Sequence, residues 1–276
     1  MARVLAISSQ VARGHVGLAA IVPALQCLGH DVIGLPTILL SNHPGHRTAA
    51  GEHVSPDLLQ RMLDALDTNG WLREIDAILT GYLPSPAHVQ FAVDALRRVR
   101  EHSARVRVLV DPVLGDEPKG VYIDVGAATH IRDNLMALAD IATPNAFELG
   151  WLASTRIGCA DDVMQAARIL SPPQILATSV PVADGAISNI LIDKGAREIF
   201  LADVPDKGKV PNGTGDVLSA LYLGHCLRGV SASEAFSLAV AGVDAAIIAS
   251  VGQDELALAA STKAWADPQP WPLRKL

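Results

Sequence analysis

Residues 211–229 read PNGTGDVLSALYLGHCLRG, with two glycines and a carboxylate at the mouth of a run that is apolar on nearly every side. Asp and Thr both cap helix N-termini well, so a plain helix start is one reading of Thr214 and Asp216. That reading leaves the paired glycines, Gly213 and Gly215, without a role. Glycines there free the backbone, so the N–H groups of Gly213, Thr214, Gly215 and Asp216 can converge where a helix end carries partial positive charge and attracts an anion. A phosphoryl group in transfer spreads its charge over its outer oxygens, and such donors stabilise it. Asp216 beside them could take the proton of an attacking hydroxyl. The chemistry on offer is an anion hole with a base in its rim.

Other phosphate devices are missing from the sequence. Gly208-Lys209 is followed by Val210 and lacks the upstream glycine of a phosphate loop, and no G-x-G-x-x-G follows a strand-like run. There is no G-x-S-x-G nucleophile elbow.

The elements that must position this turn alternate along the chain. Short apolar runs at 4–8, 31–35, 77–80, 106–110, 141–143 and 175–179 read as buried strands. The amphipathic segments 17–28, 56–66, 86–102 and 161–170 read as helices. Such an alternation implies parallel strands joined by right-handed crossovers. The stretch SNILIDKGAREIFLADV reads as an antiparallel hairpin turning at Asp193-Lys194-Gly195, and Ser231 with Glu234 forms a capping-box pattern before the last long helix. In such a sheet, ligands bind beyond the carboxyl ends of the strands. The polar residues just past each strand are therefore the first candidates: Ser8-Ser9-Gln10, Ser41-Asn42-His43, Gly81-Tyr82, Asp111-Pro112, Thr143-Pro144-Asn145 with Glu148, and Thr178-Ser179.

Composition narrows the partners. The 276 residues are 50% hydrophobic, enough for a sizeable core, and no repeat or linker divides residues 1–276, so one domain is expected. A net charge of −7 and only 4% aromatic residues argue against a nucleic acid or an anionic membrane as the main partner. Cys27, Cys159 and Cys226 are odd in number and lack a C-x-x-C pair, which fits reduced thiols in a cytoplasmic protein. The apolar start of MARVLAISSQ is too short for a signal peptide, and no stretch reads as a membrane span. Cys27 and Cys226 read as core packing. Taken alone, Glu148 reads as a solvated helix residue, and His43 with His46 has a metal-like spacing but too few companions, so a mobile loop is the better reading of that pair.

GTGD opening an apolar helix near the C-terminus resembles the ribokinase-like superfamily of small-molecule kinases. VLAISSQVARGHVG (4–17), LLSNHPGH (39–46), LTGYL (79–83), VLVDPVLGD (108–116), IATPNAFEL (141–149) and ATS (177–179) resemble, in order and separation, its pyridoxal kinase branch. GTGD alone marks only the superfamily; the combination with SNH, DPVLGD and TPNxxE is specific. The resemblance runs from about residue 3 to residue 251.

What it implies is an α/β fold with a mostly parallel central sheet flanked by helices on both faces. The activity it implies is transfer of the γ-phosphate of ATP to the 5′-hydroxyl of pyridoxal, with pyridoxine and pyridoxamine as further substrates. It implies Asp216 as base, Gly213, Thr214 and Gly215 as anion hole, and Ser9, Val16, His43 and Tyr82 on the vitamer side. Asp111 and Glu148 would surround Mg²⁺, with K⁺ as a further cation. Thr143, Asn145, Thr178, Ser179 and Asn212 would lie along the nucleotide, and DEPKGVY (116–122) would be a flap over the triphosphate. A homodimer is implied as well. The same scaffold also serves hydroxymethylpyrimidine kinases, and a vitamer-binding protein without catalysis is the reading from a different class. One departure stands out: Pro44 replaces the threonine usual after SNH, which removes a hydroxyl and a backbone donor from the substrate loop.

Overall fold

The computed structural model describes residues 1–182 and 186–276. In chain order its strands are β1 (Arg3–Val11), β2 (Asp31–Leu40), β3 (Gly51–His53), β4 (Ala77–Thr80), β5 (Arg107–Val110), β6 (Gly115–Asp116), β7 (Gly120–Val121), β8 (Ile141–Ala142), β9 (Gln174–Pro181), β10 (Ala186–Asp193), β11 (Glu198–Pro205) and β12 (Arg274–Lys275). Ten of them form one sheet in the order β12-β11-β10-β9-β8-β5-β4-β1-β2-β3, and β6 pairs with β7 in a separate hairpin. The central strands β2, β1, β4, β5, β8 and β9 are mutually parallel. Antiparallel strands extend the sheet at both sides, β3 at one and β10, β11 and β12 at the other.

The helices are α1 (Leu18–Cys27), α2 (Pro56–Thr68), α3 (Pro86–His102), α4 (Val125–His130), α5 (Ala146–Ala153), α6 (Ala160–Ile169), α7 (Thr214–Leu227), α8 (Ala232–Ala249) and α9 (Thr262–Ala266). They cover both faces of the sheet, and the two-residue period of the strands decides which residue meets which layer. Leu5, Ile7, Ile78, Val108 and Val110 pack in the cluster that holds Leu59, Leu96, Leu149 and Val163 of α2, α3, α5 and α6. Their neighbours Val4, Ala6, Ala77, Leu79 and Leu109 pack on the other face with Ile21, Leu221 and Phe236 of α1, α7 and α8. Sequence runs that are apolar at every position are what a sheet covered twice requires.

The expected strands and the β10–β11 hairpin are present, with differences that bear on the site. β1 continues to Val11 because a bulge between Ser8 and Gln10 lets it stay paired with the end of β2. Ser9 therefore sits at a bend inside a strand. Cys27 is exposed, contrary to the expectation of core packing, whereas Cys226 is buried. The buried stripe of α1 is Leu18, Ala20, Ile21, Ala24 and Leu25, and Cys27 falls off it. Helix α8 is long and apolar enough to cross a membrane by length and composition, which the sequence reading did not register. It instead packs Ala235, Phe236, Ala239 and Val240 into the core beside α7.

Gly242 marks the closest approach within this layer. A Cβ there would lie 2.6 Å from the backbone oxygen of Trp265 and 2.7 Å from Leu221 Cδ1. In an isolated helix Gly→Ala gains up to about 1 kcal/mol. Overpacking against a backbone costs about 1–3 kcal/mol and wins here. Gly242→Ala is expected to lower unfolding free energy in chemical denaturation; a stabilised variant would contradict the packing.

Candidate active site

The Gly-Thr-Gly-Asp turn folds as the sequence suggests. Gly213 is the N-cap of α7 at φ 99°, with no side chain capping the helix. Val217 makes the first backbone bond, to the Gly213 carbonyl, which leaves the N–H groups of Thr214, Gly215 and Asp216 ahead of the helical ladder. Glycine is required at 213 for a second reason, because a Cβ would overlap the His15 carbonyl oxygen. Nothing lies within 4 Å of a Cβ at Gly215, so this side of the turn faces open space.

Asp216 lies in the first turn of α7 at the floor of the cleft. A Cβ at Gly81 would come within 2.5 Å of Ser8 Oγ, so the exit of β4 approaches that hydroxyl only as glycine, and the same Cβ would stand 3.9 Å from Asp216 Oδ1, an ordinary contact. Enclosure by the cleft walls pushes the Asp216 carboxyl up to about 6, and a hydrogen bond from the Gly17 N–H at the start of α1 works against that rise.

Two further carboxylates enter from the strand ends. Asp111 continues the ladder beyond β5, its N–H donating to the Thr80 carbonyl at 2.9 Å, and is 7% exposed. Burial raises its proton affinity well above the usual carboxylate range, the charges of Glu148 and Asp216 raise it further, and bonds from Ser219 Oγ and the Val113 N–H oppose them. Ser219 Oγ donates to Asp111 Oδ2 at 2.8 Å and stands 2.8 Å from Thr143 Oγ1, so the three side chains form one buried chain. Glu148 is 3% exposed and completes a capping box with Asn145 at the start of α5. Its Oε2 accepts from the Asn145 N–H at 2.9 Å and its Oε1 from the Leu114 N–H at 2.8 Å. Burial pushes Glu148 to about 7 against these bonds. The expectation of a solvated helix residue fails because α5 starts just beyond the central strand β8, with Glu148 and Leu149 buried.

Glu148 and Asn145 also anchor the β6–β7 hairpin. Asn145 Nδ2 donates to the Gly115 carbonyl at the root of the β6–β7 hairpin. Asp116 Oδ1, in that hairpin, is buried without a partner among the described residues. Val113 and Ser179 adopt left-handed φ values of 41° and 56° without being glycine. Such conformations cost about 1–3 kcal/mol each and persist where surroundings enforce them. Both residues stand beside the cleft.

The residues that the resemblance assigns to the vitamer come from three segments, and their contacts are local. Gly17 presses on Ser9 at the bulge of β1, and Val16, 7% exposed, packs near Gly213. Tyr82 follows Gly81 and is fixed through its backbone: its N–H donates to Ser8 Oγ at 3.2 Å, and its carbonyl accepts from Thr37 Oγ1 at 2.7 Å. His43 accepts from the Gly45 N–H at 3.0 Å. Its proton affinity is lowered by burial and then by the charge of Lys119 in the β6–β7 hairpin. Asn212 approaches Gly45 from the anion turn. Pro44 is exposed at the tip of this loop. On the other side of the turn a cavity of about 310 Å³ is lined by Thr178, Ser179, Thr214 and Gly215 and walled by Val243 and Ile247.

The model of the phosphomethylpyrimidine kinase family matches residues 21–258. The chain belongs to this family. Within it, the chain is 32% identical over 276 residues to a pyridoxal kinase of Leifsonia xyli, covering 97% of this chain and 96% of that one. It is 34% identical over 236 residues to a pyridoxine/pyridoxal/pyridoxamine kinase of Bordetella avium, covering 84% and 80% of the two chains. The crystal structure of pyridoxal kinase from Entamoeba histolytica superposes over 100% of both chains with a TM-score of 0.94 at 25% identity. These relatives place the chain in the pyridoxal kinase branch, with the ribokinase-like fold.

The family membership makes the gathering of the sequence-derived residues intelligible. Thr178, Ser179, Thr214 and Gly215 share one cavity, and Asp111, Glu148 and Asp216 share one electrostatic site. Thr143 and Asn145 hold protein groups, so they shape the site from behind. Sequence reasoning missed Ser219, Lys207 and Asp244. Ser219 carried a usable signal, since it lies three residues after Asp216 and so on the same helix face. Lys207 and Asp244 form an ion pair beside the cavity, and nothing local joins 207 to 244.

The two glycines of the turn should separate in experiment. Gly213→Ala combines a left-handed backbone with a clash against a carbonyl and is expected to lose about 1–3 kcal/mol of stability. Gly215→Ala, helical and unobstructed, should fold as well as the parent, gaining at most about 1 kcal/mol. Equal unfolding midpoints for the two variants would contradict the geometry.

Proposed function

We propose that the protein transfers the γ-phosphoryl group of ATP to the 5′-hydroxyl of pyridoxal, and that pyridoxine and pyridoxamine are accepted as well. The observation that carries this reading is the set of contacts around Asp216. Its carboxylate accepts from Gly17, which packs on Ser9, and comes near Gly81, which precedes Tyr82, while its own turn touches Val16 through Gly213 and lines the cavity of Thr178 and Ser179 through Thr214 and Gly215. A hydroxyl presented from the side of Ser9 and Tyr82 meets the carboxylate, and a phosphoryl group reaching out of the cavity meets the free N–H groups of the turn. With its carboxyl near 6, Asp216 is ionised at neutral pH and holds a proton well enough to accept one. The backbone donors and the positive end of α7 then stabilise charge on the transferring group.

A divalent metal belongs to this chemistry, and the donor set fits Mg²⁺. Among the described residues no three metal-ligating side chains are gathered to hold an ion alone. Mg²⁺ commonly takes one or two carboxylates and completes its shell with phosphate oxygens and water. Asp111 offers the carboxylate, and the mutual repulsion of Asp111, Glu148 and Asp216 favours a cation among them. Most acceptor positions of Glu148 are already filled by backbone N–H groups, so it would order waters or the Asp111 loop. Mg²⁺ would neutralise phosphate charge, and K⁺ would assist as a second cation. The reading also includes one domain over 1–276, a homodimer and a cytoplasmic setting, the last supported by free cysteines.

The test is a phosphorylation assay across pyridoxal, pyridoxine, pyridoxamine and hydroxymethylpyrimidine. Pyridoxal is expected to give the highest kcat/KM. A preference for hydroxymethylpyrimidine would move the chain to the other activity of its family, and ATP turnover independent of any vitamer would reject the reading. Asp216→Asn keeps the helix start and removes the base, so turnover should fall about 10²–10⁴-fold while ATP binding persists. The base acts only when ionised, so kcat/KM of the parent is expected to fall as pH drops below about 6. A variant within threefold of the parent, or an unchanged rate at pH 5, would remove Asp216 from the mechanism.

A further inference from the structure

Residues distant in sequence meet beside the SNHPGH loop. His46 Nε2 lies 2.8 Å from Glu255 Oε1, and the two side chains are only 26% and 14% exposed. The other oxygen of Glu255 rests against Gly14, where a Cβ would overlap the carboxylate. One residue away on each segment, Arg13 pairs with Asp254 at 3.4 Å, an exposed contact that contributes little.

The two loops joined at Glu255 are those that close on the anion turn. The first carries Gly14, His15 and Val16, and the His15 carbonyl packs against Gly213. The second carries His43, Pro44 and Gly45, and Gly45 lies near Asn212. Within this second loop, Asn42 donates to the His43 and Thr48 carbonyls, Gly45 donates to His43, and the His46 N–H donates to the His43 carbonyl. Among the described residues, every hydrogen bond of 42–48 except the one to Glu255 stays within 41–48. The loop is rooted where Ser41 bonds Ala50 and β3 pairs with β2, and the Ser41 carbonyl accepts from the Arg13 N–H.

We propose that Glu255 is a positioning residue that fastens the His43–His46 loop to the Arg13–Gly17 loop through His46, so that the vitamer side of the cleft is ordered before substrate arrives. Its effect is on the free protein. A loop that must be ordered during binding charges that entropy against affinity, whereas one held beforehand does not. Neither His46 nor Glu255 lines the cavity of Thr178, Ser179, Thr214 and Gly215. The inference rests on the reading that this loop meets pyridoxal, and the experiment below separates the two.

Glu255→Ala, His46→Ala and the double variant are compared with the parent. KM for pyridoxal should rise about three- to tenfold in each. KM for ATP and kcat should stay within twofold. The double variant should match the singles, because residues acting through one bond are not additive. Glu255→Gln, which keeps an acceptor for His46, should restore most of the affinity. Without any substrate, trypsin should cleave after the exposed Arg47 severalfold faster in the Ala variants, since cleavage of a loop follows its opening. If Glu255→Ala fails to fold, His46→Ala carries both readouts. Unchanged KM with unchanged cleavage, additive effects, or a loss confined to kcat would overturn the proposal. A parent that cycles on another alcohol would sink the vitamer reading while the proteolysis still tests the latch.

Discussion

Asp111, Glu148 and Asp216 come from three segments of the chain, and the charges of Glu148 and Asp216 both act on the buried Asp111. Removing a carboxylate from water disfavours its charge, and placing others beside it disfavours that charge again. The proton affinities follow: Glu148 is held near 7, Asp216 near 6, and Asp111 well above the ordinary carboxylate range. Each raised value means that the folded state prefers the protonated form. The unliganded protein therefore has the full stability from these groups below about pH 4, where they are protonated folded or unfolded, and loses it as pH rises toward 7. On the proposed reading, a divalent cation arriving with a nucleotide would reverse the balance.

The rest of the fold can be understood as the support for that arrangement. Parallel strands place their carboxyl ends side by side, and the ladder continues past them through Gly81, Asp111 and Thr143. Ser219 on α7 ties Asp111 to Thr143, so the helix that carries Asp216 also holds Asp111. Glu148 fastens the residues between β5 and the β6–β7 hairpin. The left-handed Val113 and Ser179 are tolerated because bonds to Asp111 and Asn189 fix their backbone. Bonds from Ser219, Asn145, Leu114 and Gly115 replace much of the water that would otherwise solvate Asp111 and Glu148.

Much of this was legible in the sequence for physical reasons. Short apolar runs bounded by turn residues and separated by helical patterns fit strands covered on both faces, and the paired glycines signalled a backbone that a plain helix start does not need. Motif resemblance then gathered Ser9, Asp111, Asn145 and Thr178 before any geometry did. What stayed hidden depends on contacts between distant segments. Glu148 looked solvated because a capping box has the same sequence on a surface helix and a buried one. Cys27 looked buried because α1 is apolar almost throughout and its buried stripe is set by α7. The continuation of β1 past Ser8 required the bulge, and Ser219, Lys207 and Asp244 acquire roles only once α7, α8 and the strand ends are brought together.

Calorimetric titration of Mg²⁺–ADP into the protein at pH 7, in buffers of different ionisation heat, measures the protons exchanged on binding. If a cation relieves the crowded carboxylates, binding should release protons from the protein at pH 7, and the release should fade at pH 8.5, where Glu148 and Asp216 are already ionised. A binding heat independent of the buffer at both pH values would contradict the shared carboxylate site.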